Sequence, residues 1–185
     1  KDPWRIYLTT DHPNGAAFTA YPKLIKLLMD KSFRDGEFEK INKEAQKSSV
    51  LGNLKREYSL YDIAILTRAG PAKVLGLTNI GHLGIGAKAN ITVYNNKEDK
   101  EEMFENPFMV FKDGNLIVKN GKIQKVFNGK FYTAETDFDK KIEKEISSYF
   151  QKYMGRGMES FKIQNQELWD YGIEIENIKC NRNDY

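Results

Sequence analysis

The sequence predicts an α/β chain in three parts: a short strand with helices after it, a β-meander, and a late helix. Three patterns carry this reading. Trp4-Arg5-Ile6-Tyr7-Leu8-Thr9-Thr10 is rich in aromatic and β-branched residues and breaks at the dense turn signal Asp11-His12-Pro13-Asn14-Gly15. From about residue 80 the apolar period changes from helical to alternating, punctuated by Asp113-Gly114, Asn120-Gly121 and Asn128-Gly129. Phe138, Ile142, Ile146, Tyr149, Phe150 and Tyr153 then form a stripe at helical spacing that stops at Gly155.

Residues 4–10 read as the strand. The first helix opens near Thr19, tolerates Pro22 in its first turn, presents Leu24, Ile25, Leu28 and Met29, and is expected to end at Asp35-Gly36. Phe38, Ile41 and Ala45 give a second, more polar helix. A third begins at Ser59, where Ser59-Leu60-Tyr61-Asp62 resembles a capping box, with Leu60, Ile63, Ala64 and Thr67 as its buried face. Gly70-Pro71 restarts that helix, and Gly76 is placed to cap it in the left-handed conformation.

In the alternating region, Ile91, Val93, Phe108, Val110, Leu116, Val118, Ile123 and Phe127 mark strands. The three turn dipeptides suit two-residue hairpins, whose central positions need positive φ, and so predict a meander. One face of such a sheet must be covered by another sheet or by helices. The stripe from Phe138 to Tyr153 is expected to pack in a core, with a partner-binding face as the other reading. In the tail beyond Met158, Ile173-Glu174-Ile175-Glu176 suggests an edge strand.

Composition narrows the functional classes. The chain has 185 residues, 40% hydrophobic and 12% aromatic, enough for a core. Net charge is only +3 and Lys is interspersed with Asp and Glu, so no basic block marks a nucleic-acid partner. The single Cys180 makes no internal disulfide, and no apolar run suggests a membrane span or a signal peptide; a reducing cytoplasm fits. The chain starts at Lys1 without Met and enters the apolar run almost at once, as a fragment of a longer protein would.

The sharpest chemical feature is an apolar strand that delivers an acid into a Pro- and Gly-containing turn. In (β/α)8 barrels catalytic groups project from the carboxyl ends of the strands, and Asp11 occupies such a position. That reading requires the preceding strands to come from other sequence; alternatively Asp11 and Asn14 only cap a turn. Gly81-His82-Leu83-Gly84-Ile85-Gly86 has its glycines in the wrong order for a dinucleotide loop and precedes a strand, so His82 reads as a turn residue. Two histidines and a distant Cys make neither an internal tetrahedral zinc site nor a nucleophile triad.

Thr9-Thr10-Asp11-His12-Pro13-Asn14-Gly15, with Phe18-Thr19 and Tyr21-Pro22, resembles the last barrel strand and loop of the A subunits of formylmethanofuran dehydrogenases. Tyr58 to Ala64, Thr67-Arg68 and Pro71 to Leu77 are similar to the next helix of the same subunits. Gly81 to Ile91, Val110 to Gly114 and Val118 to Gly121 resemble the small β-sandwich of the amidohydrolase superfamily. The likeness covers about residues 4–127. Ala16-Ala17 stands where that family leads one to expect a Pro.

What the resemblance implies is an α/β fragment: residues 1–79 as the last strand and helices of an amidohydrolase (β/α)8 barrel, 80–132 as a composite β-sandwich, and 133–185 as a helix and extension. It implies reversible condensation of formate with the primary amine of methanofuran at a binuclear zinc site. Asp11 would be the proton-transferring base and a shared metal ligand, and His12 and Asn14 would orient substrate. The family's His-x-His pair, carboxylated Lys and further His ligands have no counterparts here, so the isolated chain is expected to be inactive. Partner subunits would carry a tungsten or molybdenum pterin and iron-sulfur clusters. The strand at 4–10, without its neighbours, is expected to pair with a second copy as a homodimer. A dihydroorotase- or hydantoinase-like enzyme and a non-catalytic subunit-interaction module remain the alternatives.

Overall fold

The computed structural model describes residues 2–162, 166–167 and 172–180. Contacts divide the chain into two compact units, 1–126 and 127–185.

In the first unit, Pro3–Arg5 forms a 3-10 turn capped by the Asp2 side chain, which accepts from the Trp4 N–H at 3.1 Å. Residues 6–10 continue as irregular chain without a ladder partner among the described residues, so the strand expected over 4–10 does not form. A strand needs a neighbour to take its backbone hydrogen bonds, and strand-forming side chains alone do not supply one.

Helices α1 (Tyr21–Met29), α2 (Lys31–Lys40) and α3 (Lys43–Ser48) come next. Asp35-Gly36 lies inside α2 rather than ending the first helix. The break falls at Asp30, whose carboxylate accepts from the Phe33 N–H at 2.8 Å and opens a new helix. Buried Arg34 then holds α2 in place by donating to the carbonyls of Leu27, Leu54 and Arg56 at 2.8, 3.1 and 3.0 Å. Charged donors to three carbonyls outweigh the modest propensity cost of one helical glycine.

α4 (Leu60–Ala64) begins at the expected capping box: Ser59 Oγ accepts from the Asp62 N–H at 3.2 Å and the Asp62 carboxylate from the Ser59 N–H at 2.8 Å. The helix then passes through a π turn at Ile65–Ala69 into α5 (Gly70–Val74) without stopping. Pro71 has no N–H and its ring crowds the carbonyl four residues back, and the wider turn makes room for it. Ile63 is buried as expected, but Leu60 is 46% exposed and Ala64 is exposed, and the rest of the buried face is Ile65 and Leu66 at the start of the π turn. Gly76, at φ 67°, closes α5: the Leu77 N–H donates to Ala72 O at 2.9 Å and the Gly76 N–H to Lys73 O at 3.2 Å. The core gathers Ile25, Ile63 and Leu66, with Ile6, Leu8, Leu28 and Phe104 against them.

The meander is a four-stranded antiparallel sheet, β1 (Ile91–Val93), β2 (Met109–Lys112), β3 (Asn115–Lys119) and β4 (Lys122–Ile123), in sequence order. Asp113 and Gly114 (φ 48° and 78°) and Asn120 and Gly121 (φ 50° and 71°) form the two hairpin turns. Asn128-Gly129 makes no third hairpin: Gly129 has no positive φ, and the dipeptide lies in the second unit. Between β1 and β2 lies an unforeseen helix, α6 (Lys100–Glu105), capped by Asp99. Met103 of α6 is buried, and Lys26 of α1 reaches Asp99 at 2.7 Å.

The second unit pairs β5 (Lys130–Thr136) in parallel with β6 (Glu174–Cys180), the suggested tail strand. α7 (Ile142–Met154) lies between them in sequence and stops at Gly155 as expected, and that glycine adopts the left-handed conformation. The expected core packing of its stripe does not form among the described residues: α7 has no buried residue, although the Phe150 ring lies 4.7 Å from that of Phe161. No helix among the described residues is long and apolar enough to cross a membrane.

Candidate functional site

Leu8 points into the first unit's apolar interior, and Thr10 is buried at 5% exposure. The chain then reverses into a closed loop. The Ala16 N–H donates to Thr10 O and the Gly15 N–H to Asp11 O, both at 2.8 Å. Asp11 adopts φ 50°, a left-handed conformation that Asp tolerates better than most residues, and its N–H donates to Thr9 Oγ1 at 3.2 Å. The His12–Pro13 peptide is cis.

Asp11, His12 and Asn14 are all exposed on this loop. His12 stacks on Phe18, ring centroids 4.1 Å apart and planes at 23°, so its imidazole is held over the start of the helical segment. Gly15 packs so tightly that a Cβ there would stand 2.5 Å from Thr10 O and 3.2 Å from Asp11 Cβ. Beside the loop opens a cleft of about 790 Å³, lined by Leu8, Phe18, Tyr21, Ile25, Tyr94 and Phe104, with Arg68 and Glu105 as charged members of its wall. Neither Phe18 nor Gly15 carries a reactive group, and a motif-by-motif reading of the sequence passes over their contacts for that reason.

His82 lies in a separate turn. Its Nδ1 accepts from the Gly84 N–H at 3.1 Å and its Nε2 meets Thr78 O at 2.9 Å, so the ring braces the turn with both nitrogens engaged. Among the described residues no three His, Cys, Asp or Glu side chains cluster as metal ligands.

An ion pair between Lys26 and Asp99 joins α1 to α6. Asp99 is held below the usual carboxylate range, first by the hydrogen bond from Lys26 and then by the Glu102 N–H. Lys26 is raised by the same contact and also lies 4.5 Å from the Phe33 ring centroid.

The amidohydrolase family profile matches residues 1–122. The A component of the formyltransferase/hydrolase complex Fhc of Methylorubrum extorquens is 40% identical over 179 residues, covering 97% of this chain and 33% of that protein. Protein FwdA of Methanocaldococcus jannaschii is 37% identical over 174 residues, covering 88% of this chain and 31% of that protein. The crystal structure of the FhcABCD complex of Methylorubrum extorquens with methylofuran contains a chain that superposes with a TM-score of 0.80 at 40% identity, over 97% of this chain and 33% of that one. The chain spans about a third of the length of the curated relatives it matches. With a family match across two thirds of its residues, this chain belongs to the amidohydrolase family.

Proposed function

We propose that this chain is the carboxy-terminal part of an A-type subunit that forms and hydrolyses the formyl amide of methanofuran. The observation that carries the reading is the presentation of Asp11: an exposed carboxylate on a loop shut by two 2.8 Å backbone hydrogen bonds, within a sequence 40% identical to a component of a formyltransferase/hydrolase complex. In this reading 1–79 completes a (β/α)8 barrel whose other strands precede it, 80–132 contributes to a β-sandwich, and 133–185 is an extension.

A binuclear zinc site with ligands upstream would polarise the carbonyl and lower the pKa of a bound water. The chain's own part is the proton. The amine of methanofuran enters in its ammonium form; as its nitrogen bonds to the formate carbon it sheds two protons, and Asp11 passes both, one after the other, to the oxygen that leaves as water; hydrolysis runs the same transfers backwards. His12, fixed against Phe18, and Asn14 orient formate or the amine. Formate would reach this site from a tungsten- or molybdenum-pterin subunit supplied with electrons by iron-sulfur subunits; the multi-subunit composition of the solved relative supports partner subunits as such. The isolated chain, lacking the metal ligands, would not turn over. The names of the relatives favour this substrate over cyclic amides.

In the full-length subunit, Asp11→Asn is expected to lower formylmethanofuran hydrolysis by roughly 10²- to 10⁴-fold, the usual worth of a positioned general base. Unchanged turnover would sink the assignment. A role in docking other subunits is favoured by the exposed stripe of α7; substitutions along α7 that dissolve the complex while Asp11→Asn leaves turnover intact would select it.

A further inference from the structure

We infer that Gly15 is a positioning residue for Asp11, its missing side chain being what lets the carboxylate stand where the proton transfer needs it. This rests on the reading of Asp11 as the base.

A Cβ at Gly15 would lie 2.5 Å from Thr10 O, a backbone atom that cannot swing aside, and 3.2 Å from Asp11 Cβ. Thr10 itself is anchored: its side chain is buried at 5% exposure and its carbonyl already accepts the Ala16 N–H. The Gly15 N–H in turn holds Asp11 O at 2.8 Å. Gly15 therefore touches the residues on both sides of the reversal, and Asp11, at φ 50°, has its backbone set by that contact. Left-handed backbone at a non-glycine residue persists only where its surroundings over-determine it, and here the closed loop does so. Gly15 has no positive φ of its own, so the demand for glycine comes from close approach and not from conformation. Any side chain there opens the loop from the Thr10 side and carries Asp11 with it.

The test compares Gly15→Ala, Asp11→Asn and the double variant in the full-length subunit within its complex, reading kcat, KM, metal content and integrity of the complex. Gly15→Ala is expected to lower kcat on the order of 100-fold, the cost of about 1 Å of misplacement, with KM, metal content and the complex unchanged. The double variant is expected to be no slower than Asp11→Asn, since displacing an absent carboxylate changes nothing. Insertion of one glycine after Asn14, in the exposed loop tip, frees the loop without a clash and is expected to lower kcat in the same way; it decides the matter if Gly15→Ala does not fold. Wild-type kcat in either variant overturns the inference, as does a loss that multiplies with that of Asp11→Asn. If Asp11→Asn is itself fully active, the reading of the base fails instead, whatever Gly15→Ala does.

Discussion

Helix α1 in the first unit and helix α7 in the second both repeat apolar residues at three- and four-residue spacing. Ile25 of α1 is only 6% exposed, packed with Ile63 and Leu66, whereas Ile142, Tyr149 and Tyr153 of α7 stand 48%, 56% and 63% exposed. The difference lies in what each helix is given. α1 meets α6 on one side and the α4-to-α5 helix on another, and the described residues of its own unit give α7 little beyond a single 3-10 turn (Met158–Phe161). Apolar periodicity marks a face that needs a cover and says nothing of where the cover comes from.

The largest effect that could break this comparison is in the core. Leu66→Ala is expected to destabilise the chain by about 2–5 kcal/mol in urea unfolding, as lost burial and an unfilled cavity both count. Tyr149→Ala should stay within about 0.5 kcal/mol, as an exposed site does. A comparable loss from both would mean that α7 is covered after all.

A second contrast concerns backbone. β5 and β6 satisfy each other along seven paired positions, Lys130 to Thr136 against Glu174 to Cys180, while the segment from residue 6 to 10 has no ladder partner among the described residues. Light scattering of the 185-residue chain is expected to find a dimer formed through that free edge, and a clean monomer would count against it.

The smallest effect sharpens the polar side. Asp99 titrates below its ordinary 3.8 because Lys26 and then the Glu102 N–H bind the charged form. Its contribution is thus complete above that ordinary value and lost as pH falls through the lower folded one. Asp99→Asn should flatten the acid limb of stability below pH 3.8, read by circular dichroism, and an unchanged limb would show that the α1–α6 tie contributes nothing.

Local chemistry was readable wherever a residue acts on its immediate neighbours. The Ser59–Asp62 box, the left-handed Gly76, the helix stop at Gly155, and the Asp113-Gly114 and Asn120-Gly121 hairpins all depend on contacts within a few positions. Asn128-Gly129 misled for the same reason: the dipeptide permits a hairpin but cannot require one when the next strand, β5, pairs with β6 more than forty residues on. Helix α6 went unseen because a six-residue helix has almost no period to read, and its Asp99 cap has a second partner 73 residues away.

The amino-acid order by itself determined the Asp113-Gly114 and Asn120-Gly121 hairpins, the left-handed cap at Gly76, the mixed α/β class of the fold, and the acid delivered into a Pro- and Gly-containing turn. Only the tertiary structure decided that residues 6–10 form no strand ladder among the described residues, that Pro71 is absorbed by a π turn, that Arg34 holds three carbonyls, and that Gly15 lies against Thr10 and Asp11. The physical reason is range: a cap or a turn is settled by steric and hydrogen-bonding terms a few residues wide, whereas a strand, a buried cation or a close backbone approach depends on the neighbour that folding brings to it.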